Sequence, residues 1–571
     1  VIISTGKKSL QDQLGDKDLG FMQKSLGRPR AFVSLKGKGN YICRRLLGKN
    51  KKMFEERGLE KLHKKLTKWA EKDAVGDLDT FPGKVEFPAN ICTADECTNC
   101  SLADKCGYRA VKQQVKEADC VVVNHSLLGF DLRLGVGRVL GPYEILIIDE
   151  AHTAGDFIRR SFSEELTPTW MRNAFNKLVR EQFPLEEFKT ERDPAEATWE
   201  AMFDDLPEER LLQAGFLGTK ADNVVAMLHG FEEDITAYIL RRWSMMDDRA
   251  ARDLIKNGSS DEFKDALDNI QCDLRENDDD AEYDDYCTLV KMLEQTSKKR
   301  IAVASTALDD DNWINCQEVM KNGDPKILRQ PVTLAPLTKG PMTIIDKVLF
   351  TSATLNFDLL KSEFGLMPKY ELSVPSPFPY KRSLIYIPKH LPRPGNQRFH
   401  EAVADEIVQL TRASQGNALI LFSSLFDLKK VTQFIEEDYD YEYPLQGDKL
   451  RLVVIVKIPF PPREDPLSKA KEKLLGRQSF WNAYYFPSML NDIQQAAGRL
   501  VRTHDDRGVI ALLDVRIWVG GNKDIDPRDV GTTKMPWKGY GHRIIKALPF
   551  PNFTPRFSLV KQFYDAMLRN E

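Results

Sequence analysis

Asp149 and Glu150 stand side by side at the end of an apolar run, in the segment "EILIIDEAH" from Glu144 to His152. A nucleotide-bound magnesium takes oxygen ligands, usually waters, phosphates and one or two carboxylates. One carboxylate at the end of a buried strand can orient such a hydrated ion, and its neighbour can place and polarise an attacking water. The same pair would also suit a helix N-terminus, where acids meet the positive end of the dipole. A second group is "QQAAGRLVR", in which Gln495, Gly498, Arg499 and Arg502 give the pattern Q-x-x-G-R-x-x-R. Arginines three apart share a helix face, and a guanidinium fork matches a γ-phosphate gaining charge in a transition state. A basic, solvated helix face would show the same spacing. "TSATL", Thr351 to Leu355, places small hydroxyl residues after another apolar run.

The cysteines form a third group. Five of the nine fall between Cys43 and Cys106, and four of those lie within "CTADECTNCSLADKC", as Cys92, Cys97, Cys100 and Cys106. Such clustering favours a metal over disulfides. The C-x-x-C of Cys97 and Cys100, with Cys106 after it, suits thiolate ligation. By spacing alone, zinc and an iron–sulfur cluster are equal candidates. Cys120, Cys272, Cys287 and Cys316 stand apart and read as ordinary packed thiols.

The elements that must carry these residues follow one grammar. "VIIST", "CVVVNH", "EILIIDEAH", "KVLFTSATL", "ALILFSS", "LRLVVIVK" and "GVIALLDVR" are apolar runs ending in small or polar residues. Alternating with helical stretches, they predict an α/β protein with parallel sheets and functional loops at the strand ends. Two regions break the rhythm. Residues 37–117 are rich in lysine and cysteine, and 154–324 read as mostly helical. The acidic run Glu276 to Asp285 reads as a solvated loop between helices. "VPSPFPYKR" reads as a linker into a second α/β domain.

Composition sets the outer bounds. A chain of 571 residues should form several domains, and its 42% hydrophobic and 29% charged residues are ordinary for a globular protein. No apolar run reaches about 18 residues and no basic-then-apolar leader stands at the start, so the expectation is a cytoplasmic protein without a membrane partner. A net charge of −3 neither demands nor excludes nucleic acid, which needs only a local basic surface.

One expected part is missing. A phosphate loop reads G-x-x-x-x-G-K-[ST]. In "STGKKS" the pair Gly6-Lys7 is followed by Lys8, and no other segment of the sequence fits.

Taken together and in order, these motifs resemble the iron–sulfur branch of the superfamily 2 helicases, the DinG/XPD type, with the bacterial DinG pattern the nearer. "STGKKSLQDQL" resembles motif Ia, "IIDEAH" motif II, "TSATL" motif III, "ALILFSS" motif IV and "QAAGRLVR" motif VI. "LKGKGNYIC", "EADCVVVNHSLL", "SPF" and "YGHRIIKALP" are similar to segments between the motifs. The resemblance implies two RecA-like motor domains with ATP and Mg2+ between them, plus an inserted iron–sulfur domain and a helical arch domain. It divides the chain into a first motor domain (1–36, 118–156 and 325–380), the cluster domain (37–117), the arch (157–324) and a second motor domain (381–571).

It implies roles as well. Asp149 would hold Mg2+, Glu150 would act as general base, and Gln495, Arg499 and Arg502 would face the γ-phosphate. Gly498, Ser352, Ala353 and Thr354 would lie about the nucleotide, and His152 would couple its state to domain closure. Cys43 and Cys106 would be the first and last ligands of a [4Fe–4S] cluster, with Cys100 and one of Cys92 and Cys97 between them and zinc as the chemical rival. Single-stranded DNA, met 5′ to 3′ and drawn from a duplex, would touch Lys7, Lys8, Gln11, Asn124 and His125. For "NHS" a buried turn bonding its own backbone is the equal alternative.

In such helicases the phosphate loop precedes motif Ia, and a motif V precedes the segment matched by "IVKIPFP". Here "LQGDKLRLVVIV" joins directly near Gly447 to Leu450, so the expectation is that residues are missing from the sequence at both places. Two rivals follow from the same reading. One is a nucleic-acid-binding scaffold without ATP hydrolysis. The other is a helicase recruited by an RNA-guided CRISPR complex, with "WVGGNKDIDPRDVGTTKMPWKG" (Trp518 to Gly539) as an unusual insertion.

Overall fold

The computed structural model describes residues 1–6, 11, 14, 21, 25, 31–73, 75–83, 85, 87, 91–92, 102–276, 280–438, 450–519, 526–527 and 540–569. Contacts divide it into two compact units. One is Val1–Ser352 with Glu363–Gly365 and Asp465–Ala470; the other is Ala353–Ser362, Leu366–Glu464 and Lys471–Glu571.

The first unit is built on a parallel sheet in the order Phe32–Ser34, Cys120–Asn124, Ile2–Thr5, Ile145–Ile148 and Lys347–Phe350. Val122, Val123, Leu146 and Ile148 are fully enclosed, as the unbroken apolar runs require. Register aligns Thr5 with Asn124 and Ser4 with Ile148. The chain therefore leaves the sheet at Gly6, His125, Asp149 and Thr351 along one edge, the carboxyl edge where open α/β sheets bind ligands. The second unit repeats the plan, with parallel strands Ala418–Leu421, Leu452–Ile455, Val509–Leu512, Leu384–Tyr386 and Phe553–Thr554.

The helical insertion carries more than helices. Long helices Thr219–Trp243 and Asp280–Ser305 pack around buried Trp199, Phe231 and Tyr283. Beside them, Glu164–Leu166, Pro325–Pro331, Trp313–Val319 and Leu211–Leu212 form a four-stranded antiparallel sheet absent from the helical expectation. The acidic run also departs from a solvated loop. Helix Ser260–Glu276 ends within it and helix Asp280–Ser305 begins within it. Glu282 accepts from Arg242 at 2.8 Å and from the Trp243 indole at 2.6 Å, Asp285 accepts from Arg242 at 3.0 Å, and Asp284 pairs with Arg45.

Arg159, in helix Ala151–Phe162, fastens this insertion to the sheet beneath it. It is 3% exposed, donates to the carbonyls of Pro331 (2.8 Å) and Val332 (2.9 Å), and pairs with the buried carboxylate of Glu363. Removing one partner of a buried pair strands the other charge. Arg159→Met should therefore lower unfolding free energy by about 3–5 kcal/mol in a denaturant titration.

Residues 37–92 make a small satellite core of Ile42, Leu47, Phe54, Leu66, Phe81 and Ile91. Buried Lys36 holds its entry loop through Asp77 (2.8 Å) and Asp79 (3.0 Å).

Candidate active site and cysteine site

The backbone of "DEAH" is fixed by its neighbours. The Asp149 amide donates to Ser4 O at 2.8 Å and that of Ala151 to Thr351 O at 3.0 Å, which pins both ends of the turn to adjacent strands. Glu150 between them has φ 49°, a left-handed conformation uncommon for a residue with a Cβ. Such backbone persists only where the surroundings over-determine it, and it concentrates at functional sites. Here the carbonyl of Glu150 accepts from the amide (2.9 Å) and hydroxyl (3.0 Å) of Thr153.

Partial burial raises the pKa of Asp149, against an opposing hydrogen bond from the Glu150 amide and one from Thr5. Glu150 is raised by burial first and by the charge of Asp149 second. Two half-buried carboxylates that resist ionising together are a fitting donor set for a divalent cation. His152 completes the group. Its Nδ1 lies 2.8 Å from Ser352 Oγ and 3.3 Å from Glu150 Oε2, and burial lowers its pKa. His152 and Ser352 thus meet directly, joining the "DEAH" turn to the start of "TSATL". Ala353 and Thr354 follow in the second unit.

In the second unit, Gln495 and Gly498 lie in helix Phe486–Gly498, which ends there. Arg499 is its C-cap, and Arg502 sits in a turn whose amide donates to Asp506 Oδ2 at 2.8 Å. The two arginines therefore do not share a helix face. Both are exposed, while Leu500 and Val501 between them are buried and anchor the turn.

Two of the expected DNA contacts are buried. Gln11 is 0% exposed and spends its amide on Leu35 O (2.9 Å) and Val122 O (3.0 Å). His125 is 0% exposed, with Nδ1 2.8 Å from Ser4 Oγ. Its Nε2 is buried without a hydrogen-bond partner among the described residues, and burial, opposed by the nearby backbone of Asp149 and Glu150, pushes its pKa down to about 4. His125 is thus a neutral, buried support under the "DEAH" turn, in line with the buried-turn alternative for "NHS". The Asn124 side chain accepts from Leu127 N at 2.8 Å and caps helix His125–Leu134. Lys7 and Lys8 lie outside the described residues.

Three of the five candidate cysteines are described. Cys43 is the N-cap of helix Arg44–Lys49, its Sγ accepting from Leu46 N at 3.5 Å. Its amide donates to Ile91 O at 2.7 Å, and Ile42 forms a bridge with Cys92. The Arg44 guanidinium spans the carbonyls of Ala70, Asp73 and Lys105, the last next to Cys106. Gly107 then lets the chain turn closely: a Cβ there would lie 1.6 Å from Val75 O. The segments of Cys43, Cys92 and Cys106 are therefore fastened to one another, a framework whose thiols suit a soft metal or cluster. Among the described residues no three Cys, His, Asp or Glu form a metal-holding group. Cys97 and Cys100, and most of the Gly447 to Leu450 junction and of Trp518 to Gly539, lie outside them.

Comparisons with known proteins bear on this geometry. The Helicase C-terminal domain family matches residues 443–524. The ATP-dependent DNA helicase YoaA of Haemophilus influenzae is 24% identical over 98% of this chain and 88% of its own length. The ATP-dependent helicase DinG of Mycobacterium tuberculosis is 26% identical over 90% of this chain and 83% of its own. Among solved structures, one described as an XPD helicase aligns with a TM-score of 0.51 at 15% identity, covering 97% of this chain and 91% of that one. The last likeness is one of fold, and with the two parallel sheets it gives RecA-like architecture.

Proposed function

We propose, from the premise that this chain is a DinG/XPD-type superfamily 2 helicase, that it is an ATP-dependent DNA helicase. The observation that carries the reading is the strained Glu150 turn at the carboxyl edge of a parallel sheet, tied to motif III through His152 and Ser352. Phosphoryl transfer to water needs placement and charge stabilisation more than covalent chemistry. In this reading Asp149 orients a hydrated Mg2+ and Glu150 accepts a proton from the attacking water. Arg499 and Arg502 stabilise charge on the γ-phosphate, with Gln495 and Gly498 shaping the approach. His152 and the Ser352-Ala353-Thr354 turn pass nucleotide state to motif III.

Lys7 and Lys8 hold the phosphates of a single strand moving 5′ to 3′. Cys43, Cys106, Cys100 and one of Cys92 and Cys97 hold a [4Fe–4S] cluster that braces residues 37–117. The direction and the cluster are supported by the motif resemblance and the fastened cysteine segments. Recruitment by an RNA-guided complex has no supporting feature among the described residues and forms no part of this reading.

The test is ATP hydrolysis by the full-length protein with and without single-stranded DNA, together with unwinding of a tailed duplex. Stimulation by the strand and ATP-dependent unwinding are expected.

A further inference from the structure

Helix Glu60–Lys72 carries five lysines against two glutamates. Its apolar side is fully used: Leu66 and Ala70 are buried in the satellite core, with Leu62 and Trp69 packed against it. At about 100° per residue, Lys61, Lys64, Lys65, Lys68 and Lys72 all fall within an arc roughly 100° wide on the opposite side. All five are exposed. Glu60 and Glu71 stand together along one border of the arc, leaving its interior purely basic.

Three lysines nearby are paired. Lys36 binds Asp77 and Asp79, Lys49 binds Glu181 at 2.6 Å, and Lys51 reaches Glu55 at 4.0 Å. Among the described residues none of the five makes an ion pair. Like charges at i,i+4 destabilise a helix, and this face carries three such pairs: Lys61 with Lys65, Lys64 with Lys68, and Lys68 with Lys72. In a chain of net charge −3, the face is a local concentration of positive charge that the described residues leave unmatched.

We propose that this lysine face is a docking surface for the phosphate backbone of duplex DNA, separate from the motor's single-strand contacts. The inference rests on the helicase reading for its choice of polyanion. The row from Lys61 to Lys72 is about 16 Å long, at about 1.5 Å per residue, and a helix holds it straight. Duplex DNA offers a rigid line of charge, about one per 1.7 Å of axis, against which such a row can lie. Lysine is a point charge that neutralises phosphate without reading bases. A single strand is bound instead with aromatic platforms for its bases, and the exposed arc has no aromatic residue. A membrane surface would need the helix's apolar side, which is buried in the core.

The experiment uses the full-length protein and the triple variant K61Q/K65Q/K68Q. All three positions are exposed, and unchanged thermal unfolding would show that the fold survives. Binding to a blunt duplex and to a single-stranded oligonucleotide is measured from low to high salt. The variant should bind the duplex about tenfold or more weakly at about 0.1 M salt. Its log–log salt slope should be shallower by about 2–3, at about 0.9 for each phosphate no longer neutralised. Single-strand affinity and strand-stimulated ATP hydrolysis should stay within about twofold. Unchanged duplex affinity and slope would overturn the proposal, leaving a solvated face or one for an acidic protein. Equal losses on duplex and single strand would overturn the duplex assignment. Failure of the helicase reading shows separately, as wild-type protein that hydrolyses no ATP while the duplex arm still reports on the lysines.

Discussion

Glu150→Gln should lower DNA-stimulated ATP hydrolysis by about a thousandfold, within the 10²–10⁴ range of a positioned general base, while leaving ATP and DNA binding intact. Glutamine keeps the size and torsions of glutamate, so the left-handed backbone at residue 150 and the bonds from Thr153 to its carbonyl are undisturbed. It cannot accept the proton of an attacking water. The pH dependence gives an independent check. Burial and the neighbouring Asp149 charge raise the Glu150 pKa, so acidification neutralises this carboxylate before an exposed glutamate. The acid limb of the wild-type pH–rate profile should lie correspondingly high, and the residual rate of the variant should lose it. His125 does not supply that limb, because burial keeps it neutral down to about pH 4. Hydrolysis within tenfold of wild type would remove Glu150 from the chemistry and leave the turn's strain without a catalytic purpose.

The strands and the motif II edge were legible because a parallel strand enclosed on both faces must be an unbroken apolar run, as "CVVV" and "ILII" are. The sheet of the helical insertion was not. Pro325–Pro331 buries only alternate residues, at Ile327, Arg329 and Pro331, and two of these are a polar and a proline residue. The acidic run misled because charge alone does not reveal partners. Arg242 and Arg45 lie 40 and 239 positions from theirs.

Q-x-x-G-R-x-x-R misled differently: Gly498 ends the helix, so a three-residue spacing beyond it carries no helical phase. For Gln11 and His125 the motif resemblance pointed to DNA, with a buried turn as the equal alternative at "NHS", and both satisfy strand carbonyls or hydroxyls inside the sheet. A buried polar residue that serves the backbone looks the same in sequence as one that serves a ligand. The lysine face escaped notice for the opposite reason. Its signal is the helical phase of five lysines, visible only once the start and apolar side of helix Glu60–Lys72 are fixed.

Cys43→Ser should abolish the metal site and with it unwinding, by about a hundredfold or more, on the ground that even partners outside a metal's ligand shell are worth 10–100-fold. The substitution is selective. Cys43 already serves as an N-cap through Sγ, and serine is a better cap, so helix Arg44–Lys49 should persist. The amide bond to Ile91 O belongs to the backbone and also remains. What is lost is a thiolate, which iron–sulfur ligation requires. Strand-stimulated ATP hydrolysis should fall far less than unwinding, because the carboxylates stand at the end of a strand of the parallel sheet, outside residues 37–117. Wild-type protein that absorbs visible light contains iron, whereas zinc, with a filled d shell, would leave it colourless. Cys92→Ser and Cys97→Ser then separate the two inner candidates: the one that keeps the colour is the spare. Unwinding by a colourless Cys43→Ser protein at the wild-type rate would show that the cysteine framework stands without its metal and does not serve strand separation.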